Sequence, residues 1–283
     1  MTITDPHAAA FIDELDREAE RHDVPVDGGH VTWRRFGDGP PLVLLHGGHG
    51  RWTHWARNIR PLAAHASVWV PDLPGYGDSS TPPATTHEAL VDATRQSLDA
   101  LVGTGTPIHL AGFSFGGLTA AALAARRGHV ARLGLFGPGG HGGARRPRGA
   151  LKVWRDAADS GDAAALAEVM RHNLLMHMLH DPASVDALAM RIHTEACLAT
   201  RFRSRTISLA GGLARWLAQY PGPLLLAWGE HDVTAVPEDA LRAMAQGRSD
   251  CRTVLVRGAG HWLQYERADQ ANELLLSLLA ARA

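Results

Sequence analysis

Apolar residues fall into short blocks along the first half of the chain: Val31-Thr32-Trp33, Leu42 to Leu45, Val68-Trp69-Val70, Ile108 to Ala111 and Leu133 to Phe136. Runs of this length bounded by Gly, Pro and Asp read as strands, and the stretches between the later ones read as helices. Strand and helix in alternation predict an α/β fold with a mostly parallel central sheet flanked by helices. From about Leu151 to Leu217 the pattern is helical throughout, with no β run. The strand pattern returns at Pro223 to Trp228 and at Thr253 to Val256, before a closing helix around Asp269 to Arg282. The expected organisation is therefore a core over residues 1–140, an inserted helical cap over 141–217 and the rest of the core over 218–283. Near the start, Phe11, Ile12, Leu15 and Ala19 recur at helical spacing, which predicts an amphipathic helix lying on the main body or on a second subunit. That second option leaves a homo-oligomer open.

Composition narrows the function classes. A chain of 283 residues with 45% hydrophobic content can bury a sizeable core. Its formal net charge of -1 gives no basic footprint for nucleic acid and no acidic tail, so a small-molecule substrate is the expected partner. Cys197 and Cys251 have neither zinc-type nor CxxC spacing, and the acidic first residues do not resemble a secretory signal. No apolar run approaches the ~20 residues of a membrane span. The expected setting is cytoplasmic, with no membrane partner.

The chemistry starts at Gly112-Phe113-Ser114-Phe115-Gly116, between the apolar run ending at Ala111 and the Ala-rich stretch from Gly117 to Arg127. A GxSxG at a strand-to-helix turn is a nucleophile elbow, in which small flanking residues let the turn close and project the hydroxyl. A serine hydroxyl is a poor nucleophile at neutral pH and needs a base, itself steadied by a carboxylate. Two loops downstream supply candidates: Gly229-Glu230-His231-Asp232 after the strand ending at Trp228, and Gly258-Ala259-Gly260-His261-Trp262 after the last strand. Ser114, Asp232 and His261 follow the chain order expected for this elbow. Glu230 and His231 are the competing acid and base. Glu230 lies near the strand end where solvated or capping acids are common, and His231 would leave the Gly-rich turn before His261 without a use.

Acyl transfer also needs donors for the oxyanion. His46-Gly47-Gly48-His49-Gly50 directly follows the strand Leu42 to Leu45, so the expected donors are the backbone N–H groups of Gly48 and of Phe115, the residue after the nucleophile. His46 is expected to brace that loop.

These residues, with Asp72-Leu73-Pro74-Gly75-Tyr76-Gly77-Asp78-Ser79, resemble the α/β-hydrolase superfamily from about His30 to the C-terminus. More narrowly, Gly137-Pro138-Gly139-Gly140 and the run from Gly260 to Asp269 resemble the meta-cleavage product hydrolases. That resemblance implies hydrolysis of a carbon–carbon bond in a 2-hydroxy-6-oxodienoate, with ketonisation of the dienol first and no metal or organic cofactor. It also implies a substrate-binding role for Arg191 in the cap and Trp262 after the catalytic histidine. Two positions depart from the family. Phe113 stands where it usually has an asparagine before the nucleophile, and His54 where it has one in the oxyanion loop. The apolar ring at Phe113 weakens a carboxylate pocket, while His54 can still donate a hydrogen bond, so an ordinary carboxylic ester remains an alternative substrate. Arg201, Arg203 and Arg205 offer either a second anion site or a solvated basic face. Related dehalogenases and epoxide hydrolases carry aspartate in place of Ser114. The remaining alternative is a non-catalytic binding protein on the same fold.

Overall fold

The computed structural model describes residues 5–280. Eight strands form one sheet: β1 (Glu20–Val26), β2 (Gly29–Phe36), β3 (Pro41–Leu45), β4 (Ser67–Pro71), β5 (Ile108–Phe113), β6 (Val130–Phe136), β7 (Leu224–Gly229) and β8 (Cys251–Val256), in the order β1-β2-β4-β3-β5-β6-β7-β8. β2 runs antiparallel to both its neighbours and every other pairing is parallel. Parallel strands need helical crossovers, which cover both faces and make the central strands continuously apolar. β3 shows the result. Leu42 and Leu44 enter one core cluster, Val43 and Leu45 the other.

In chain order the helices are α1 (Pro6–Glu18), α2 (Ala56–Ala63), α3 (His87–Val102), α4 (Phe115–Arg127), α5 (Arg155–Asp159), α6 (Ala163–Asn173), α7 (Ala187–Leu198), α8 (Arg205–Leu209), α9 (Leu213–Leu217), α10 (Pro237–Ala245), α11 (Leu263–Glu266) and α12 (Ala268–Ala280). α1 begins where Asp5 accepts from the His7 and Ala8 N–H groups, and it buries Ala8, Ile12 and Leu15. Ala19 lies just past its end, because the chain turns extended there to enter β1.

β1 has no counterpart in the strand pattern read from the sequence. Its residues, Glu-Arg-His-Asp-Val-Pro-Val, are mostly exposed, and Pro25 cannot donate to a ladder. Both are properties of an edge strand, whose outer side faces water. The segment from Leu151 to Leu217 is not one helical run either. Between β6 and β7 lie five short helices, α5 to α9, and a five-residue π-turn at Leu174–Met178. Gly161, Pro182 and Gly211-Gly212 mark breaks in it. The last expected positions of the closing helix, through Arg282, lie outside the described residues.

Buried charge fixes the loop after β4. Arg34, 1% exposed, reaches Asp72, Asp78 and Asp16. Asp72 in turn accepts from Trp52 N–H at 2.9 Å, which ties this loop to the segment after β3. Arg201 donates to the carbonyls of Gly77, Ser79 and Ala199 and to Thr81 Oγ1, fastening the insertion to the same loop. Arg203 and Arg205 are exposed.

Candidate active site

Ser114 stands between β5 and α4 with φ +53° and ψ −118°. Holding a non-glycine residue there costs of order 1–3 kcal/mol, and it persists only where the surroundings impose it. The imposition is steric. A Cβ on Gly112 would overlap Gly116 O, and one on Gly116 would overlap His46 O, so strand, turn and neighbouring loop close only around glycines. The Ser114 N–H donates to Phe136 O at 2.9 Å and its carbonyl accepts from Gly139 N–H at 2.8 Å, so the Gly137-to-Gly140 segment buttresses the turn.

His261 Nε2 lies 2.9 Å from Ser114 Oγ, and His261 Nδ1 lies 2.8 Å from Asp232 Oδ2. Side chains 147 and 29 positions from His261 thus meet at the carboxyl ends of β5, β7 and β8. The bonding assigns the proton to Nδ1, leaving Nε2 free to accept from the serine hydroxyl. Asp232 is fully buried. Burial alone would raise its carboxyl pKa, but the His261 ring and the hydrogen bonds from His261 and Thr234 hold it below the ordinary 3.8. Thr234 is a residue the sequence reading missed: its N–H donates to Asp232 Oδ1 at 2.7 Å and its Oγ1 lies 3.2 Å from His261 Nδ1. The only signal was Asp232 itself, since an Asp side chain commonly accepts from the backbone N–H two residues on. The competing residues are used elsewhere. Glu230 accepts from Gly258 N–H, and the His231 ring stacks on His180 with centroids 3.5 Å apart.

The loop after β3 lies beside the serine, for a Cβ on Gly47 would sit 3.2 Å from Ser114 Cβ. His46 braces it: Nδ1–H donates to Gly47 O and Nε2 accepts from Leu73 N–H, at 2.8 and 2.9 Å. Full burial pushes His46 down to about 4, so it stays neutral. Gly47 N–H is spent on His54 Nδ1, at 3.3 Å. The Phe115 N–H opens α4 and has no intrahelical carbonyl to bond. Gly48 and Phe115 therefore remain the candidate oxyanion donors.

The expected substrate contacts separate into two kinds. Because Gly47 N–H donates to Nδ1, His54 carries its proton on Nε2, and that buried atom has no protein partner. Burial holds this imidazole well below 6.5, with the neighbouring His46, His193 and His261 adding to the effect. Arg191 on α7 pairs through Nη2 with Glu195 at 2.9 Å, leaving its Nε–H buried and without a protein partner. Trp262 differs: its indole N–H donates to His54 O at 3.0 Å and its ring stacks on Tyr265, so it holds His54 in place and has no donor left for a ligand. Phe113 is buried, with its ring 4.9 Å from that of His261 and 5.6 Å from that of His54.

The insertion adds His177, which the sequence reading also missed. It lies on the π-turn, a distortion frequent at functional sites, with its ring 5.4 Å from that of His261. Burial, then His261, pushes it down to about 3. Among the described residues no group of three or more His, Cys, Asp or Glu is arranged to hold a metal ion.

Buried neutral histidines set an acid limit on stability. His46 and His193 are both pushed down to about 4 from 6.5. Between those values the unfolded chain binds protons that the folded chain refuses, so stability falls as pH drops, by up to about 1.4 kcal/mol per pH unit for each such group. Asp232, with its pKa lowered, extends the loss below its ordinary 3.8. The urea midpoint is expected to decline steadily from pH 7 to pH 5. A flat midpoint over that range would show that these rings titrate normally in the fold.

Residues 40–268 match the family model described as alpha/beta hydrolase fold. The chain is 28% identical over 272 residues to the 2-hydroxy-6-oxo-6-phenylhexa-2,4-dienoate hydrolase of Comamonas testosteroni, covering 89% of this chain and 92% of that protein. It is 29% identical over 289 residues to the 2-hydroxy-6-oxononadienedioate/2-hydroxy-6-oxononatrienedioate hydrolase of Klebsiella pneumoniae, covering 90% and 94%. Among solved structures, a meta-cleavage product hydrolase from Pseudomonas fluorescens superposes with a TM-score of 0.71 at 21% identity, over 93% of this chain and 98% of the other. Naproxen esterase from Bacillus subtilis gives 0.74 at 20% identity over 96% of each chain. At those identities the superpositions speak for the fold alone.

Proposed function

This chain belongs to the α/β-hydrolase fold family, and on that premise we propose that it is a serine hydrolase cleaving a carbon–carbon bond in a 2-hydroxy-6-oxodienoate. The observation that carries the hydrolase reading is the Ser114–His261–Asp232 chain of contacts at 2.9 and 2.8 Å. The substrate class rests on the relatives named above.

In this reading the dienol is first ketonised in the site. His261 then takes the Ser114 proton as Oγ adds to the C6 carbonyl, while the Gly48 and Phe115 N–H groups hold the oxyanion and Asp232 stabilises the imidazolium. The C5–C6 bond breaks and its electron pair moves through the enone to the C2 oxygen, which takes the proton held by His261 and leaves as a 2-hydroxydienoate. Water, deprotonated by His261, then attacks the acyl-serine, and the carboxylic acid departs as the proton returns to Ser114 Oγ. Residues 141–217 act as the cap over the core formed by 1–140 and 218–283. The unpartnered Arg191 Nε–H and His54 Nε2–H suit the oxygen atoms of the dienoate end. No metal or organic cofactor and no nucleic acid enters this scheme. We place the reaction in the cytoplasm, where free cysteines such as Cys197 and Cys251 stay reduced. Among the described residues no helix is long and apolar enough to cross a membrane.

Ester hydrolysis is the second reading, favoured by the apolar Phe113 ring against His261. Turnover of a 2-hydroxy-6-oxodienoate against simple aryl esters separates the two, and a clear preference for the esters would remove the ring-fission substrate. Absence of Ser114 labelling by a fluorophosphonate in folded protein would leave only a binding role. Arg191→Ala is expected to raise KM for the dienoate by about 10-fold or more, the loss of a charged hydrogen bond, and to change KM for a neutral ester by less than about 3-fold. Equal changes would exclude a carboxylate contact at Arg191.

A further inference from the structure

Glu266 closes α11 five residues after His261, and it is 7% exposed. Its carboxylate takes three backbone donors from two separate segments. Oε1 accepts from His180 N–H at 3.0 Å and Asp181 N–H at 2.7 Å, both in the insertion, and Oε2 accepts from Gly260 N–H at 2.6 Å, next to His261. No ion pair to Glu266 forms among the described residues, and its hydrogen bonds are to these backbone N–H groups. Burying a carboxylate is costly unless its lone pairs are met, and meeting them with charge-assisted bonds makes the arrangement rigid.

Further contacts bring the same two segments together. Trp262 N–H donates to Met178 O at 2.7 Å. A Cβ on Gly260 would lie 2.7 Å from His180 N and 3.0 Å from Met178 O, so the backbones touch directly and only glycine fits between them. The His180 ring stacks on His231, next to the acid Asp232, and the His177 ring lies against His261. The turn from His177 to Asp181 therefore rests on the loops of both the base and the acid, and one carboxylate bonds it to the first of them.

We propose that Glu266 is a positioning residue: it locks the insertion's turn onto the His261 loop, so that the seat of the insertion and the orientation of the imidazole are set together. This rests on the reading of His261 as the base. Correct placement of Nε2 toward Oγ then depends on an acid outside the triad, and displacement by about 1 Å at such a group can cost on the order of 100-fold in rate.

The test uses the full chain carrying Glu266→Gln. The amide retains one acceptor oxygen but turns an NH2 group toward a backbone N–H, which breaks one side of the lock. The expected result is a fall in kcat of about 10-fold or more with KM within about 2-fold, and a parallel fall in the rate of fluorophosphonate inactivation, in protein that still melts cooperatively. Wild-type kcat and inactivation rate in folded E266Q would overturn the proposal. If E266Q does not fold, Asp181→Pro read against Asp181→Ala decides, because both lose the Asp181 carboxylate that accepts from Ala183 N–H and only the proline also deletes the Asp181 N–H, at a residue whose φ of −82° is close to that of proline. A kcat in D181P equal to that of D181A overturns the proposal, and a lower one at constant KM supports it. If the triad reading itself were wrong, the wild-type protein would already resist the fluorophosphonate, which distinguishes the two failures.

Discussion

Ser114→Ala is expected to lower kcat by on the order of 10⁴ to 10⁶, measured as single-turnover hydrolysis of whichever substrate the wild type prefers. The variant deletes the one oxygen that His261 Nε2 addresses at 2.9 Å, while leaving Cβ, the turn and the backbone oxyanion donors in place. What remains is binding and the polarisation expected of the proposed oxyanion donors Gly48 and Phe115, so residual activity should be small but above the uncatalysed rate. Melting temperature should barely change. Ser114→Gly makes the companion measurement. At φ +53° a Cβ is strained, so the glycine variant should be more stable than S114A by about 1 kcal/mol, at equal loss of activity. An alanine variant that retains most of its turnover would end the nucleophile assignment. A glycine variant no more stable than alanine would show that the elbow carries no strain.

Asp232→Asn is expected to cost about 10⁴ in kcat with little change in KM. The carboxylate accepts from His261 Nδ1–H through Oδ2 and from Thr234 N–H through Oδ1. An asparagine can keep only one of these as an acceptor. With its oxygen on Thr234 N–H, it turns an NH2 toward Nδ1 and draws the imidazole proton to Nε2, the atom that must accept from Ser114. The base is then present but in the wrong tautomer. Geometry should be conserved, so folding is expected to survive while kcat falls. Asn at near wild-type rate would transfer the acid's role to another group, and Glu230→Gln would be the next measurement, although Glu230 is bonded to Gly258.

The fold and the central chemistry were legible because each is written locally. Short apolar runs alternating with helices dictate a parallel sheet. Gly112 and Gly116 around Ser114 are demanded by steric contacts within one turn and with the adjoining loop. Strand ends mark the loops of Asp232 and His261. β1 was not legible, because an edge strand lacks the two-sided burial that produces an apolar run, and its pairing with β2 is visible only once the hairpin is formed. The insertion was legible as helical but not as five short helices around a π-turn, since a π-turn has no distinct residue pattern and is selected by what packs against it.

Trp262 shows the same division within the site. Its place after the histidine suggested a substrate contact, yet where its N–H goes depends on His54, 208 positions away. Glu266 resembles an ordinary helical glutamate in the sequence and becomes a lock only where residues 180, 181 and 260 meet. The sequence by itself determined which groups were available and the turn geometry of the nucleophile, because steric and hydrogen-bonding preferences over a few residues are enough for that. The tertiary structure decided which of 17 histidines faces the serine, which donors stay free and which are spent, because those outcomes depend on burial and on partners supplied by distant parts of the chain.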